Sequence, residues 1–256
     1  MPDEFCRNAG TAEDLRNEER SVDTAVWLID HMCGHLDVFD LGGLDVLDFG
    51  CGVRFAQAIV NRQLPVERYV GVDVYREMIG FLSANVTDAR LEFAHLDAHN
   101  ALYNAHGLPF DDVTDTLSIA GQFDVICMFS VVTHLAPNDY VSVLRLLRRF
   151  VKPTGRLFFT LFIDEETAGG HGLIDNFDRA LRQSTDPSVQ QEVSRRVDAA
   201  TGPAPGFRDL DPKRPLLYAL YTREFALECI EGSGWAVAEV SPPDLHLQHH
   251  IVCRPV

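Results

Sequence analysis

Around residue 50 the chain has to turn sharply, and few residue types allow it. Val46-Leu47-Asp48-Phe49 is a short apolar run carrying one acid. Gly50-Cys51-Gly52 follows, and Ala56-Gln57-Ala58-Ile59-Val60 can open a helix. A strand, a glycine turn and a helix N-terminus in that order leave backbone N–H groups close to whatever lies over the turn, which suits a nucleotide-like ligand. The dinucleotide spacing G-x-G-x-x-G fits less well, because Phe55 stands where its third glycine would be. A chain with this unit near its start is constrained to alternate strands and helices.

That alternation continues. Apolar strand candidates fall at Asp45–Phe49, Tyr69–Val72, Leu91–Ala94, Asp124–Phe129 and Arg156–Phe162, with helical stretches near 54–62, 75–85 and 138–150. Strands apolar throughout and separated by helices indicate an α/β fold, a parallel sheet covered on both faces. Ahead of them, residues 1–18 are polar and irregular or loosely helical. Ser21–Leu36 places Val22, Ala25, Val26, Ile29 and Met32 at helical spacing, with Ser21 as the expected N-cap. Residues 164–215 break the pattern with Gly169-Gly170, a polar helix at Pro187–Ala199 and a Gly-, Pro- and Asp-rich loop at Thr201–Pro215. A helix from Tyr221 through Gly232, capped by Thr222, then leads into two last strands, Ala236–Val240 and Leu247–Cys253. The expected organisation is a single domain over 1–256, with a helical segment at 1–40 and a substrate-cap insertion at 164–215.

Bulk properties narrow the class of partner. The formal charge of −16 opposes a nucleic-acid phosphate backbone, and Arg145, Arg148, Arg149 and Lys152 read as the solvated face and end of one helix. Six scattered cysteines without a C-x-x-C pair suit a reducing compartment. The start Met1-Pro2-Asp3-Glu4 lacks the basic and apolar segments of a secretion signal. No apolar run approaches the roughly 18–20 residues of a membrane span. The expectation is a cytoplasmic protein, able to form a homodimer, whose partner is a small molecule rather than nucleic acid or a membrane.

The acid–glycine turn, Asp48-Phe49-Gly50-Cys51-Gly52, resembles the first motif of the class I S-adenosylmethionine (SAM)-dependent methyltransferases, in which an acid precedes G-x-G-x-G; Arg54 stands in place of the third glycine. The likeness covers 45–163 and extends to 220–254. It implies a Rossmann-like sheet of seven strands, the last antiparallel, and SAM as cofactor. Open α/β sheets bind ligands at the carboxyl ends of their strands. Gly50 and Gly52 would carry the methionine portion and ribose, and Asp73, with Val74 and Tyr75, would serve the ribose. The resemblance assigns the adenine amine to Asp97 and a ring nitrogen to the N–H at Ala98. Phe129 and Ser130 would lie beneath the methionine.

On the acceptor side, Ser130-Val131-Val132-Thr133-His134-Leu135 follows the fourth strand and resembles runs in small-molecule members of the family. His134 either faces the methyl group as general base or caps the next helix. His171, past the acidic Asp164-Glu165-Glu166, and His249, near His246, Gln248 and His250 on the last strand, are further catalytic candidates; alternation lets only one of His249 and His250 point inward. Two readings of this rim stay open. One is a base plus a divalent-metal site, magnesium by its oxygen-rich composition, with Asp164 or Glu165 and His171 as ligands. The other is a polar rim exposed to water. Phe129-Ser130-Val131-Val132 replaces the N-P-P-Y type sequence that clamps planar amino groups, which disfavours methylation of a nucleobase. The leading expectation is therefore O-methylation of a small polar metabolite such as a sugar or polyol. Alternatives are an N- or carboxyl-methyltransferase and a SAM-binding regulatory protein without transfer.

Overall fold

The computed structural model describes Phe5 and residues 18–183, 187, 205–211, 214–243 and 247–256. Most of the helix expected at Pro187–Ala199, most of the segment 1–18, and His246 lie outside these residues.

Strand β1 (Asp45–Phe49) runs parallel to β2 (Arg68–Asp73) on one side and β4 (Phe123–Met128) on the other, and β3 (Leu91–His95) extends the sheet beyond β2. Strand β5 (Val151–Ile163) lies parallel beside β4. Strand β9 (His249–Pro255) pairs antiparallel with β5, Leu157 opposite Cys253 and Leu161 opposite His249, and β8 (Trp235–Ser241) closes this edge against β9. Chain order reverses between β1 and β4, so a crevice opens where their carboxyl ends diverge. The antiparallel final strand expected from the resemblance is present.

Among the described residues the sheet carries nine strands, two more than the seven expected. β5 is long enough for its end to pair twice: Phe162 and Ile163 run parallel to Leu220 and Tyr221 of β7 (Ala219–Tyr221), and β7 pairs with β6 (Phe207–Asp209). Tyr221, expected in a helix, is thus a buried strand residue. Thr222 does cap the next helix, its Oγ1 accepting from the Phe225 N–H.

Helices cover both faces. On one lie α1 (Glu18–Leu36) and α2 (Arg54–Asn61), whose Ala25, Ile29, Met32, Phe55 and Ile59 pack on Val46, Val125, Phe158 and Val252. Ser21 lies inside α1 rather than at its cap, because the helix already includes Glu18. α3 (Arg76–Asn85) packs along β2 and β3. On the opposite face, α4 (Phe110–Val113), α5 (Pro137–Arg148) and α7 (Arg223–Glu231) bury Phe110, Tyr140, Leu144, Leu147 and Ile230 against Leu47, Ile126, Phe159 and Ile251. Trp235 donates from Nε1 to the Leu144 carbonyl at 2.9 Å, locking β8 to α5. In the insertion, α6 (Leu173–Gln183) presents Leu173 and Phe177 to Phe162 and Leu220.

Three of the four expected basic residues do end one helix, Arg145 and Arg148 in the last turn of α5 and Arg149 at its C-cap, with Arg145 and Arg149 exposed. Lys152 is on β5, bound to Asp45 and Asp124 at 2.8 and 2.7 Å, and Arg148 donates to the carbonyls of Gly234 and Val256. Among the described residues, no helix is long and apolar enough to cross a membrane.

Candidate active site

At the β1–β4 divergence lies a cavity of about 240 Å³. Its floor is the glycine turn. Gly50 and Gly52 have φ of +77° and +51°, the left-handed region in which a side chain is strained. Gly50 is also sterically required, since an added Cβ would stand 2.3 Å from Val131 Cγ2. Its N–H donates to the Val72 carbonyl at 2.7 Å, joining the turn to the end of β2.

Asp73 closes the floor. Its two carboxylate oxygens accept from the N–H groups of Gly52, at 3.1 Å, and Tyr75, at 3.0 Å. Burial raises its pKa, and these N–H donors pull the other way. Val74 and Tyr75 line the cavity with Asp73, and Phe5 meets the Tyr75 ring edge-on at 5.6 Å. Asp48, 3% exposed, accepts from the Tyr69 hydroxyl at 2.7 Å. Burial pushes its pKa up to about 7, so near neutral pH the floor carries a carboxyl group that is in part uncharged.

Asp97 and Ala98 are engaged within the protein and lie outside the cavity lining. Asp97 accepts from Asn104 Nδ2 at 3.1 Å and lies 3.5 Å from the Arg76 guanidinium. Ala98 is fully buried in a bridge to Leu108. Neither belongs to the cavity wall, where Leu96, Asn100 and Tyr103 are found instead.

Phe129, Ser130 and His134 do line it. Ser130 has φ of +58°, a strained conformation for a residue with a side chain. It is held from below: its N–H donates to Thr160 Oγ1 at 2.9 Å, and its Oγ accepts from Gln248 Nε2 at 2.8 Å. A single 3₁₀ turn at Val132–His134 presents the histidine. His134 Nδ1 lies 3.0 Å from the Leu216 carbonyl, which can only accept, so Nδ1 carries the proton and Nε2 is the lone-pair nitrogen. Burial lowers the His134 pKa, against the hydrogen bonds to Leu216 and Leu217. The imidazole is therefore a neutral base at pH 7. The buried Tyr221 hydroxyl donates to the Leu135 carbonyl at 2.7 Å and fixes the turn to β7.

The other two catalytic candidates are elsewhere. His249 and His250 do point to opposite faces, as expected. His249 is fully buried, with Nε2 2.9 Å from Glu165 Oε1. His171 is half-buried, its N–H donating to Thr167 Oγ1 and its ring lying against Gly169. Neither lines the cavity. The expected magnesium ligands are committed as well. Arg208 pairs with Asp164, and Arg223 binds Glu165 in bidentate fashion, holding its carboxyl below the usual range. A carboxylate already bridged by a guanidinium is a poor ligand for a hard cation, so the rim does not fit that metal.

Sequence reading passed over several residues. Leu28 of α1 and Phe5 reach the cavity from the N-terminal segment. Arg54, singled out in the sequence as the replacement of the third motif glycine, lines the cavity from the first position of α2. Thr160, Gln248 and Leu216 position Ser130 and His134 but carry no motif. His31 and His35 also escaped notice, although their four-residue spacing on a helix is a readable signal.

Comparison with known proteins agrees with this geometry. A family profile described as a methyltransferase domain matches residues 17–198. An α-N-terminal protein methyltransferase of Arabidopsis thaliana is 28% identical over 148 residues, covering 58% of this chain and 48% of that protein. The chain thus spans about half the length of that curated relative. Among solved structures, the 1,6-didemethyltoxoflavin N1-methyltransferase of Burkholderia thailandensis superposes with a TM-score of 0.53 at 14% identity, over 99% of this chain and 86% of its own. A mitomycin 7-O-methyltransferase gives 0.50 at 17% identity, over 99% and 66%. The glycine turn, the acids at the strand ends and the profile match converge: the chain belongs to the methyltransferase-domain family, with the Rossmann-like fold of the class I SAM-dependent methyltransferases.

Proposed function

We propose that this domain transfers the methyl group of SAM to a hydroxyl of a small polar molecule, with His134 as general base. The observation that carries the reading is the 3.0 Å contact of His134 Nδ1 with the Leu216 carbonyl, which assigns the proton of the neutral ring to Nδ1 and leaves Nε2 as the proton acceptor of a cavity-lining residue. The donor sulfonium already carries its leaving-group charge. The protein's tasks are to align the acceptor, worth about 7–11 kcal/mol in favourable cases, and to remove its proton, worth roughly 10²–10⁴-fold.

In this reading the ribose hydroxyls take over Asp73 and the methionine lies along Gly50–Gly52, over Phe129 and Ser130. Arg54 is the permanent cation of the wall. It meets a carboxylate, either that of the methionine or an acid group on the acceptor. Leu216, the residue directly after the insertion, is the one that holds His134, so the placement of the insertion and the orientation of the base are linked. No role in catalysis is given to His171 or His249.

The Arabidopsis thaliana relative supports a second reading, an amine acceptor. The same neutral imidazole can take a proton from an ammonium group. A screen of polyols, sugars, phenols and short peptides with methyl-labelled SAM separates the two. Label on oxygen supports the first reading, and label on an amine replaces it. Labelling of neither, with SAM bound, would leave a SAM-binding protein without transfer.

A further inference from the structure

On the α1 face, away from the cavity lining, three imidazoles converge. His31 Nε2 lies 3.1 Å from His250 Nδ1 and 3.2 Å from His35 Nε2, and the three atoms are within 4.8 Å of one another. His31 and His35 are consecutive turns of α1, whereas His250 comes from β9, 219 residues beyond His31. The rings splay at 71°, 77° and 57° to one another, so their nitrogens meet around a common point instead of stacking.

Proton counting shows why three neutral histidines fit poorly there. Glu239 Oε1, 2.9 Å from His35 Nδ1, accepts that proton and leaves His35 Nε2 as a lone pair facing His31. His31 Nε2 then has two nitrogen neighbours and at most one hydrogen to offer. The three nitrogens can share that hydrogen, or one pair must face lone pair to lone pair. A cation resolves this by accepting from all three. Two nitrogens bound at about 2.05 Å in a tetrahedral site stand roughly 3.3 Å apart, close to the two short separations here. The carboxylate behind His35 is the outer partner that metal-bound histidines usually have.

We propose that His31, His35 and His250 form a binding site for a first-row transition-metal ion of the zinc class. Imidazole nitrogens suit zinc, copper or nickel and not magnesium. Three protein ligands leave a fourth position for water or another donor. The ion would tie α1 to the sheet. Because Leu28, one turn before His31, lies in the cavity wall, the tie would also steady that wall.

The test needs no methyl acceptor. Tag-free full-length protein is stripped with EDTA and titrated with Co²⁺, then with Zn²⁺. The expected result is one ion per chain, the visible absorption of four-coordinate cobalt, its loss on adding zinc, and a Tm that rises with metal concentration. His35→Ala and His250→Ala, each checked by circular dichroism, should weaken binding at least ~100-fold, and Glu239→Gln by about 10–100-fold. If His250→Ala does not fold, His35→Gln, at a partly buried position of α1, serves in its place. No stoichiometric binding by the wild type, or wild-type affinity in folded His35 and His250 variants, would overturn the site.

Discussion

The floor of the cavity is joined by contacts between neighbouring βα units: Gly52 meets Asp73 across 21 residues, and Asp73 meets Tyr75 across two. The rim, where we propose the acceptor binds, is joined across the whole chain, His134 to Leu216 over 82 residues and Ser130 to Gln248 over 118. The floor uses mainly backbone N–H groups, which any sequence that makes the turn will supply. The rim uses particular side chains whose partners arrive only when the insertion and β9 are in place. A cofactor common to a family can be met by the first kind of construction. Selecting one acceptor calls for the second.

If the two regions are separable in this way, rim variants should change turnover and floor variants should change cofactor affinity. The largest effect is expected at the rim. His134→Ala should lower kcat by about 10²–10⁴-fold with SAM affinity nearly intact. A matching loss of SAM affinity, measured by calorimetry, would show that the rim and floor are one unit. Burial lowers the His134 pKa, so its acid limb should lie below the ordinary histidine range. Wild-type kcat should hold from pH 8 to neutrality and fall only in more acidic solution. A fall beginning above pH 7 would assign the limb to another group.

Next comes Asp73→Ala, which removes a buried charged acceptor and should weaken SAM and S-adenosylhomocysteine alike by about 1.5–3 kcal/mol. Unchanged affinity would separate Asp73 from the ribose. Gly50→Ala should follow, since its Cβ has neither the φ nor the space it needs. A loss of order 10-fold in SAM affinity corresponds to about 1.4 kcal/mol of strain in the turn. Equal affinity would mean that the turn yields and Val131 moves.

Asp48 tests the floor through stability instead. Its folded pKa, about 7, lies above its ordinary value of 3.8. Folding therefore favours the protonated form. The stabilisation is complete below the ordinary value and is lost as pH rises through about 7. Asp48→Asn should leave Tm nearly unchanged at pH 4 and raise it by several degrees at pH 8, about 4–8 °C per kcal/mol for a small domain and less for a larger one. A Tm difference independent of pH would contradict the protonated carboxyl. The smallest effect is expected from Asp97→Asn. With Asp97 turned to Asn104 and Arg76, SAM affinity should change by less than about 3-fold, below 0.7 kcal/mol. A larger loss would bring Asp97 to the cofactor and enlarge the floor.

Much of the floor could be read from residue order. The apolar run, the two glycines and the acids after β2 and β3 are short-range signals, and β1 was located to the residue. Asp97 shows the limit, because its place after β3 was legible but its partner Asn104, in a loop, was not. Tyr221 shows another. Its neighbours have helical spacing, yet the end of β5 needed a pairing partner and drew it into a strand.

The sequence by itself determined the alternating fold, the glycine turn and the carboxylate that closes it, because backbone conformation and local periodicity act over a few residues. Only the tertiary structure decided which of several histidines enters the cavity. It turned His134 inward through Leu216 and gave His249 to Glu165. It also brought His250 to His31 and His35, and paired the rim acids with arginines. Each of those outcomes depends on which distant group satisfies a buried polar atom. That choice is made when the sheet closes and is not written in the spacing of residues along the chain.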